Sequence, residues 1–257
     1  MLGKYVGARP SPPVRDLLNY GAISEHSMTG TEAGTRARQD SRLWDFLAGL
    51  PLMLLCAFGI AGIFIQVHRQ WPGAGSVASV ALILSEISGG LFLCMQLIFT
   101  ALRRLPLAKS PGLAPRLWAL AGANSSYLVL LLPKENPGAV LALLSACLIC
   151  CGALGSVVVL MWLGRGFAIF PQARLLATRG PYRLVRHPLY LCEQISLFGV
   201  CIPYLQPWGF LIVLAGLGLQ FPRMRYEEDI LLQTFPNYAD YAAHTPMIIP
   251  GWTASRD

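Results

Sequence analysis

Charged side chains are scarce in this sequence: only 13% of its 257 residues are Asp, Glu, Lys or Arg. This is about half of the charge content of a soluble domain, and 54% of the residues are hydrophobic. Several apolar runs exceed about 18 residues, the length that a helix needs to cross a bilayer. The composition excludes an ordinary soluble domain and predicts an all-α fold, a polytopic transmembrane helical bundle.

Histidine is also rare, with four residues in the chain, and the seven cysteines all lie in apolar segments. Cys147, Cys150 and Cys151 have a spacing that suggests a metal site. However, no histidine or second CxxC lies near them in the sequence, and free cysteine often packs as a small hydrophobe. We therefore expect no metal and no disulfide.

The first 43 residues differ in composition from the rest of the chain. The segments PSPP (10–13) and TGTEAGT (29–35) have little apolar surface to bury, which is typical of disorder. The N-terminus also lacks the apolar run and cleavage site of a signal peptide. We expect a disordered cytoplasmic tail over residues 1–43.

Five apolar runs follow, at 44–67, 75–102, 114–132, 138–163 and 189–221. The last is too long for one crossing, and the prolines of PYLQP (203–207) interrupt it, which predicts a helical hairpin. The sequence thus predicts six crossings. Four of these transmembrane helices lie within residues 44–163, and the hairpin lies within a C-terminal core of residues 164–257.

The distribution of Lys and Arg predicts the orientation of these crossings. With the N-terminus inside, 18 of the 20 basic residues lie on the inner side, in segments 1–43, 103–116, 164–187 and 222–257. Arg69 and Lys134 lie in outer loops. By the positive-inside rule, both termini are expected to be cytoplasmic. The net charge of +7 therefore does not indicate a nucleic-acid partner.

A polar segment, GPYRLVRHPLY (180–190), precedes the hairpin. Pro188 suits the first turn of a helix, so His187 is expected near the positive end of the helix dipole, where anionic groups are attracted. Tyr190 follows one turn later. The alternative is an interfacial tyrosine with basic anchors, which is common at membrane boundaries.

A second cluster, RMRYEED (223–229), follows the hairpin. Basic anchoring explains its arginines but not its three acids. Glu227 is suited to bind the ammonium of an amino-acid cofactor, and Arg223 is suited to hold a carboxylate or polarise an acceptor. The alternative is a solvated ion pair between these two residues, which lie four positions apart.

Three further features are less specific. Glu86 and Glu193 lie within apolar runs, where a charge is costly; Glu86 is either functional or simply protonated or paired. Glu193 follows Tyr190 by three residues and is expected to share its helix face, either in the pocket or as an interfacial polar group. The segments FPNYADY (235–241) and PMIIP (246–250) predict a short helix and an extended lid, or a structural interfacial helix.

Together, GPYRLVRHPLY, EEDILLQTFPNYADY and PMIIP resemble the isoprenylcysteine carboxyl methyltransferase and phospholipid methyltransferase superfamily. The resemblance implies a cytoplasmic site for S-adenosylmethionine without a metal. It implies Arg223 and Glu227 as catalytic residues, with Arg223 facing the acceptor, where Glu193 is a further candidate. The implied cofactor shell is Arg174, Leu175, Leu176, Ala177, Tyr182, His187, Pro188, Leu189, Tyr190 and Glu227.

The expected acceptor is lipophilic, but the residues leave a prenylcysteine-like carboxylate, a phospholipid amine and a thiol open. Two other functions stay open as well. Membrane sterol and steroid reductases share the RHPxYxxE spacing of residues 186–193 and would use a nicotinamide dinucleotide, although EExxL with FxxYxxY differs from their C-terminal signature. A non-catalytic scaffold or transporter subunit is the other alternative, but no internal repeat supports it.

Overall fold

The computed structural model of the chain describes residues 28–133, 135, 137–204 and 207–249. Within these residues, two short strands, β1 (Ala108–Lys109) and β2 (Gln172–Ala173), pair antiparallel, and the other regular structure is helical. The α-helices in the described residues are α1 (Met28–Gln70), α2 (Val77–Leu102), α3 (Ala114–Asn124), α4 (Gly138–Leu163), α5 (Pro188–Cys201), α6 (Pro207–Thr234) and α7 (Tyr238–His244). The all-α prediction is confirmed.

In the part of the chain that the structure describes, three helices are long and apolar enough to cross a membrane. Their spans are Arg42–Gly73, Val77–Leu102 and Gly138–Gly166, and the mean hydropathy of an 18-residue window in each is 2.3, 1.9 and 2.5. They correspond to the predicted spans 44–67, 75–102 and 138–163. The prediction of a multi-pass membrane protein is confirmed for these segments.

The other predicted crossings have a different local structure. Residues 114–132 form the 11-residue helix α3 and a 3-10 turn, Ser125–Leu131, instead of one long helix. The hairpin forms as α5 and α6, with a 3-10 turn at Ile202–Tyr204. Helix α5 has 14 residues and so spans about 21 Å, which is less than the roughly 30 Å of hydrocarbon. The count of six crossings and their orientation stay predictions.

The structure describes only part of the predicted N-terminal tail, residues 28–43. Residues 1–27 lie outside the described residues, whereas residues 28–43, expected to be disordered, are helical as the first part of α1. A helix that is already formed downstream can be extended residue by residue without a new nucleus, which explains helix in a polar stretch. The chain divides into two compact units between Leu43 and Trp44, and the predicted division into domains stays a prediction.

Small residues allow α4 and α5 to pack with their backbones close together. A Cβ placed on Gly152 would lie 2.5 Å from the Cys192 carbonyl oxygen, and one on Gly199 would lie 2.7 Å from that of Ser145. The Ser145 hydroxyl also donates to the Gly199 carbonyl at 2.8 Å. These contacts hold α5, and with it the preceding RHP segment (residues 180–190), against α4.

The β1–β2 pair joins the end of α2 to the segment after α4. Beyond the strands, the Arg104 N–H donates to the Arg165 carbonyl at 2.8 Å and the Leu107 N–H to the Ala173 carbonyl at 2.7 Å. These bonds place residues 164–177 beside the loop after α2. The same residues form one wall of the site.

Candidate active site

A cleft lies between the segment after α4, the RHP segment and helices α6 and α7. Leu163, Phe167 and Phe170 make one part of its wall apolar, and ionisable side chains line another part. The predicted site residues that line the cleft are Leu175, Leu176, Ala177, Tyr182, His187, Leu189, Tyr190, Arg223 and Glu227.

The two polar motifs meet through a hydrogen bond between Tyr190 and Glu227. The Tyr190 hydroxyl donates to Glu227 Oε2 at 2.7 Å. Tyr190 lies on the first turn of α5, and Glu227 lies on the second half of α6, which is predicted to face the cytoplasm. The hairpin therefore brings the two residues together. Glu227 Oε1 forms no hydrogen bond with any residue that the structure describes. One carboxylate oxygen is thus held in place, and the other is free to accept a bond from a ligand.

Arg223 lies one turn before Glu227 on the same face of α6. Its side chain is buried, with 5% of the residue exposed, and its Cζ lies 4.6 Å from the centre of the Tyr190 ring. It donates to Gln220 Oε1 at 3.3 Å and to the Ile169 carbonyl at 3.4 Å, and its Nε has no partner among the described residues. No carboxylate of the described chain forms a salt bridge with it, so its charge is available to an anion.

Glu228 points to different partners from those of its neighbour Glu227. Its Oε1 lies 3.1 Å from His187 Nε2, and its Oε2 lies 3.1 Å from an Arg186 guanidinium nitrogen. Tyr190, His187 and Arg186 therefore bind consecutive carboxylates of α6. These hydrogen bonds and ion pairs, with the Arg223–Tyr190 contact, fix the RHP segment to α6.

Helix α7 and the segment after it cover the RHP segment. The Tyr241 hydroxyl donates to the Tyr182 carbonyl at 2.6 Å, and the N–H groups of Arg186 and His187 donate to the carbonyls of Pro246 and Met247 at 2.8 and 3.1 Å. Burial raises the pKa of Tyr241 to about 12. The phenol is therefore protonated at neutral pH and able to donate this bond.

Burial acts on two more phenols of the cleft wall. It raises the pKa of Tyr182 and that of Tyr238, and nearby Glu227 and Glu228 carboxylates add to the effect. Both side chains are therefore neutral hydrogen-bonding groups and not anions. The predicted short helix and extended segment are present as α7 and residues 245–249, while Pro250 lies outside the described residues.

Three predicted site residues do not line the cleft. Arg174 is buried, and its guanidinium binds both oxygens of Asp45 at 2.7 and 3.1 Å, so it is not available to the cofactor. Pro188 is buried at the first position of α5, where it serves to begin the helix. Glu193 lies one turn beyond Tyr190, near enough to Arg223 and Glu227 to interact electrostatically with both.

Sequence reasoning missed several residues around the site. Phe167, Phe170 and Leu231 line the cleft, but nothing distinguishes them from other apolar residues in the sequence. Asp45 was also missed, although an acidic residue at the start of an apolar run is a signal that could have indicated a buried ion pair. No group of three or more potential metal ligands occurs within the described residues.

Comparison with known proteins agrees with the motifs. The model of the phospholipid methyltransferase family matches residues 140–238, which confirms the resemblance over this segment. The chain is 33% identical over 112 residues to the nickel-cobalt-cadmium resistance protein NccN of Alcaligenes xylosoxydans xylosoxydans, covering 42% of this chain and 52% of that protein. It is 34% identical over 76 residues to the cobalt-zinc-cadmium resistance protein CzcN of Cupriavidus metallidurans, covering 29% and 35%. The chain thus spans about half or less of these relatives.

Proposed function

We propose that this chain, whose residues 140–238 are a phospholipid methyltransferase family segment, transfers a methyl group from S-adenosylmethionine to a lipophilic acceptor. The observation that carries the proposal is the meeting of Arg223, Glu227 and Tyr190 in one cleft that also has an apolar wall. Such a cleft suits a charged cofactor beside a lipid-soluble acceptor. The family match favours methyl transfer over the nicotinamide-dependent reduction that the RHPxYxxE spacing left open.

Glu227 is the proposed ligand of the cofactor's ammonium group. Tyr190 holds one of its oxygens at 2.7 Å, so the carboxylate is oriented before the cofactor binds. A charge-assisted hydrogen bond from an ammonium to the other oxygen would then form with little loss of side-chain freedom. The cleft-lining Leu175, Leu176 and Ala177 are the proposed apolar contacts of the cofactor.

Arg223 is the proposed ligand of the acceptor. In methyl transfer the nucleophile attacks the methyl carbon in line as the carbon–sulfur bond breaks, and the sulfonium becomes a neutral thioether. Catalysis of such a step depends chiefly on positioning the two reactants. A buried guanidinium without a carboxylate partner is suited to orient an anionic acceptor, and attraction between an anion and the sulfonium is strong in a cleft with low dielectric.

The cleft favours a carboxylate or thiolate acceptor over an amine. An amine loses a proton during methylation and needs a base, and the sequence offered Glu193 and Glu228 for this role. Glu228 is held by Arg186 and His187, and neither Glu193 nor Glu228 lines the cleft. Among the described residues, Glu227 carries the only carboxylate that lines the cleft, and it is assigned to the cofactor.

Binding measurements on the full chain in nanodiscs test this proposal. Isothermal titration with S-adenosylmethionine and, separately, with NADPH compares the two enzyme classes; we expect binding of the first only. Glu227→Gln should weaken binding, and Asp229→Asn, an exposed neighbour on the same helix, is the matched control. Binding of NADPH alone would contradict the proposal, and binding of neither would favour a non-catalytic protein.

A second measurement identifies the acceptor. Membranes that contain the chain are incubated with S-adenosylmethionine carrying a trideuterated methyl group, and the lipid extract is analysed by mass spectrometry. Wild-type membranes should contain a labelled ester or thioether that is absent with Arg223→Gln. A labelled amine as the main product would overturn the preference for an anionic acceptor but not the methyltransferase proposal.

A further inference from the structure

One buried carboxylate near the start of the first membrane span binds two arginines from distant parts of the chain. Asp45, of which 7% is exposed, accepts from Arg103 Nε at 2.8 Å and from the Arg174 guanidinium at 2.7 and 3.1 Å. Arg103 follows the end of α2, and Arg174 follows β2. The cluster therefore connects α1, α2 and the segment that becomes the cleft wall.

Arg174 has further partners, and all of them constrain the same segment. Its guanidinium donates to the Arg104 carbonyl and, at 2.6 Å, to Gln172 Oε1. The Arg174 side chain is completely buried, and Gln172 lines the cleft. The position of this guanidinium is consequently determined on several sides.

Residues 175–179, here called the wall strip, depend on such anchoring. No backbone–backbone hydrogen bond joins the wall strip to another segment that the structure describes, so neither helix nor sheet holds it. Its first three residues line the cleft. Arg174 fixes one end, and at the other end Gly180 packs against the Trp162 ring, which a Cβ would approach to 2.4 Å.

We propose that Asp45 is a positioning residue for the cleft: by holding Arg174 with both carboxylate oxygens, it fixes the wall strip where the cofactor binds. Asp45 lies outside the family-matched residues 140–238, so the first membrane helix contributes to a site that the C-terminal core does not complete alone. The effect on cofactor affinity rests on the proposed function, whereas the effect on the wall strip does not.

The test compares three variants of the full chain in nanodiscs. Asp45→Asn and Arg174→Gln each remove the charge pair that anchors the wall strip. Arg103→Gln is the matched control, because it removes the other arginine of the same cluster and leaves the Asp45–Arg174 contact in place. Three quantities are measured: the melting temperature, the Kd for S-adenosylmethionine, and the mobility of a spin label attached at Thr178→Cys, an exposed position in the wall strip. Protein without the Thr178→Cys substitution is labelled in the same way, and its spectrum is subtracted to remove the signal of the native cysteines.

We expect Asp45→Asn and Arg174→Gln to mobilise the label and to raise the Kd by about tenfold, because a mobile wall strip must be ordered when the cofactor binds. Arg103→Gln should lower the melting temperature without changing the label mobility or the Kd. Arg174→Lys, which keeps the charge but not the forked geometry, should restore affinity in part, and it replaces Arg174→Gln if that variant does not fold.

Two outcomes overturn the proposal. Unchanged label mobility and Kd in both test variants would mean that Asp45 does not position the wall strip. Losses of affinity that follow the melting temperature in all three variants would mean that the cluster acts only on stability. If wild-type protein binds no S-adenosylmethionine while the label is still mobilised selectively, the positioning proposal stands and the proposed function fails.

Discussion

The Tyr190 hydroxyl donates to Glu227 across 37 positions of sequence, at 2.7 Å. This bond connects the first turns of α5 to the second half of α6, and it orients the carboxylate assigned to the cofactor. Arg223 lies over the same tyrosine ring. A single phenol therefore contacts both residues on which the proposed chemistry depends.

Tyr190→Phe removes this bond and keeps the ring under Arg223. The freed Glu227 side chain must then be ordered when the cofactor binds, which costs about 0.5–1.5 kcal/mol, so we expect the Kd for S-adenosylmethionine to rise by about two- to tenfold. Titration calorimetry on nanodisc-embedded protein measures this change. An unchanged Kd would show that Glu227 does not need Tyr190 to be oriented.

Glu228→Gln weakens two contacts at once, those to Arg186 and His187. Because the Arg186 and Glu228 side chains are each only 13% exposed, the variant leaves a largely buried cation without its counter-ion. We expect a loss of unfolding free energy of about 2–4 kcal/mol, measured as a lower melting temperature or denaturant midpoint. Asp229→Asn, at the next position, is exposed and should change stability by about 0.5 kcal/mol or less. Equal stability of the two variants would contradict this account.

Gly180→Ala tests the second anchor of the wall strip. Gly180 has φ +62° and would place a Cβ 2.4 Å from the Trp162 ring, so the substitution costs about 1–3 kcal/mol in backbone strain in addition to the clash. We expect lower thermal stability and a weaker affinity for S-adenosylmethionine. Gly218→Ala in α6 is the control, since nothing lies within 4 Å of the added methyl; it should be neutral or slightly stabilising. A neutral Gly180→Ala would mean that the strip adjusts freely.

Tyr241→Phe tests the bond from α7 to the Tyr182 carbonyl through its pH dependence. Burial raises the pKa of Tyr241 from 10.0 to about 12, so folding favours the protonated phenol. The contribution of this phenol to the free energy of unfolding is fully present below pH 10, the pKa of the phenol in the unfolded chain. It is lost as the pH rises through about 12. The stability difference between wild type and Tyr241→Phe should therefore shrink from pH 9 to pH 12 in chemical denaturation. A constant difference would indicate that the phenol does not titrate with folding.

Much of the fold could be predicted from the sequence because helix formation and membrane insertion depend on local composition. Runs 44–67, 75–102 and 138–163 correspond to α1, α2 and α4, and the prolines after Cys201 separate α5 from α6. Residues 114–132 were predicted less well, because a hydropathy run does not reveal that α3 ends at Asn124. The polar start of α1 also differs from the expectation, since an adjoining helix extended it.

About half of the residues that line the cleft were predicted, because the hairpin requires the RHP segment and RMRYEED to meet at one end. The sequence by itself determined which residue types were present: tyrosines, a histidine, carboxylates and arginines at the ends of that hairpin. Only the tertiary structure decided their pairing, with Glu227 on Tyr190, Glu228 on Arg186 and His187, and Arg174 on Asp45 instead of the cofactor. Pairing depends on distances between segments far apart in the chain, and local patterns carry no information about such distances.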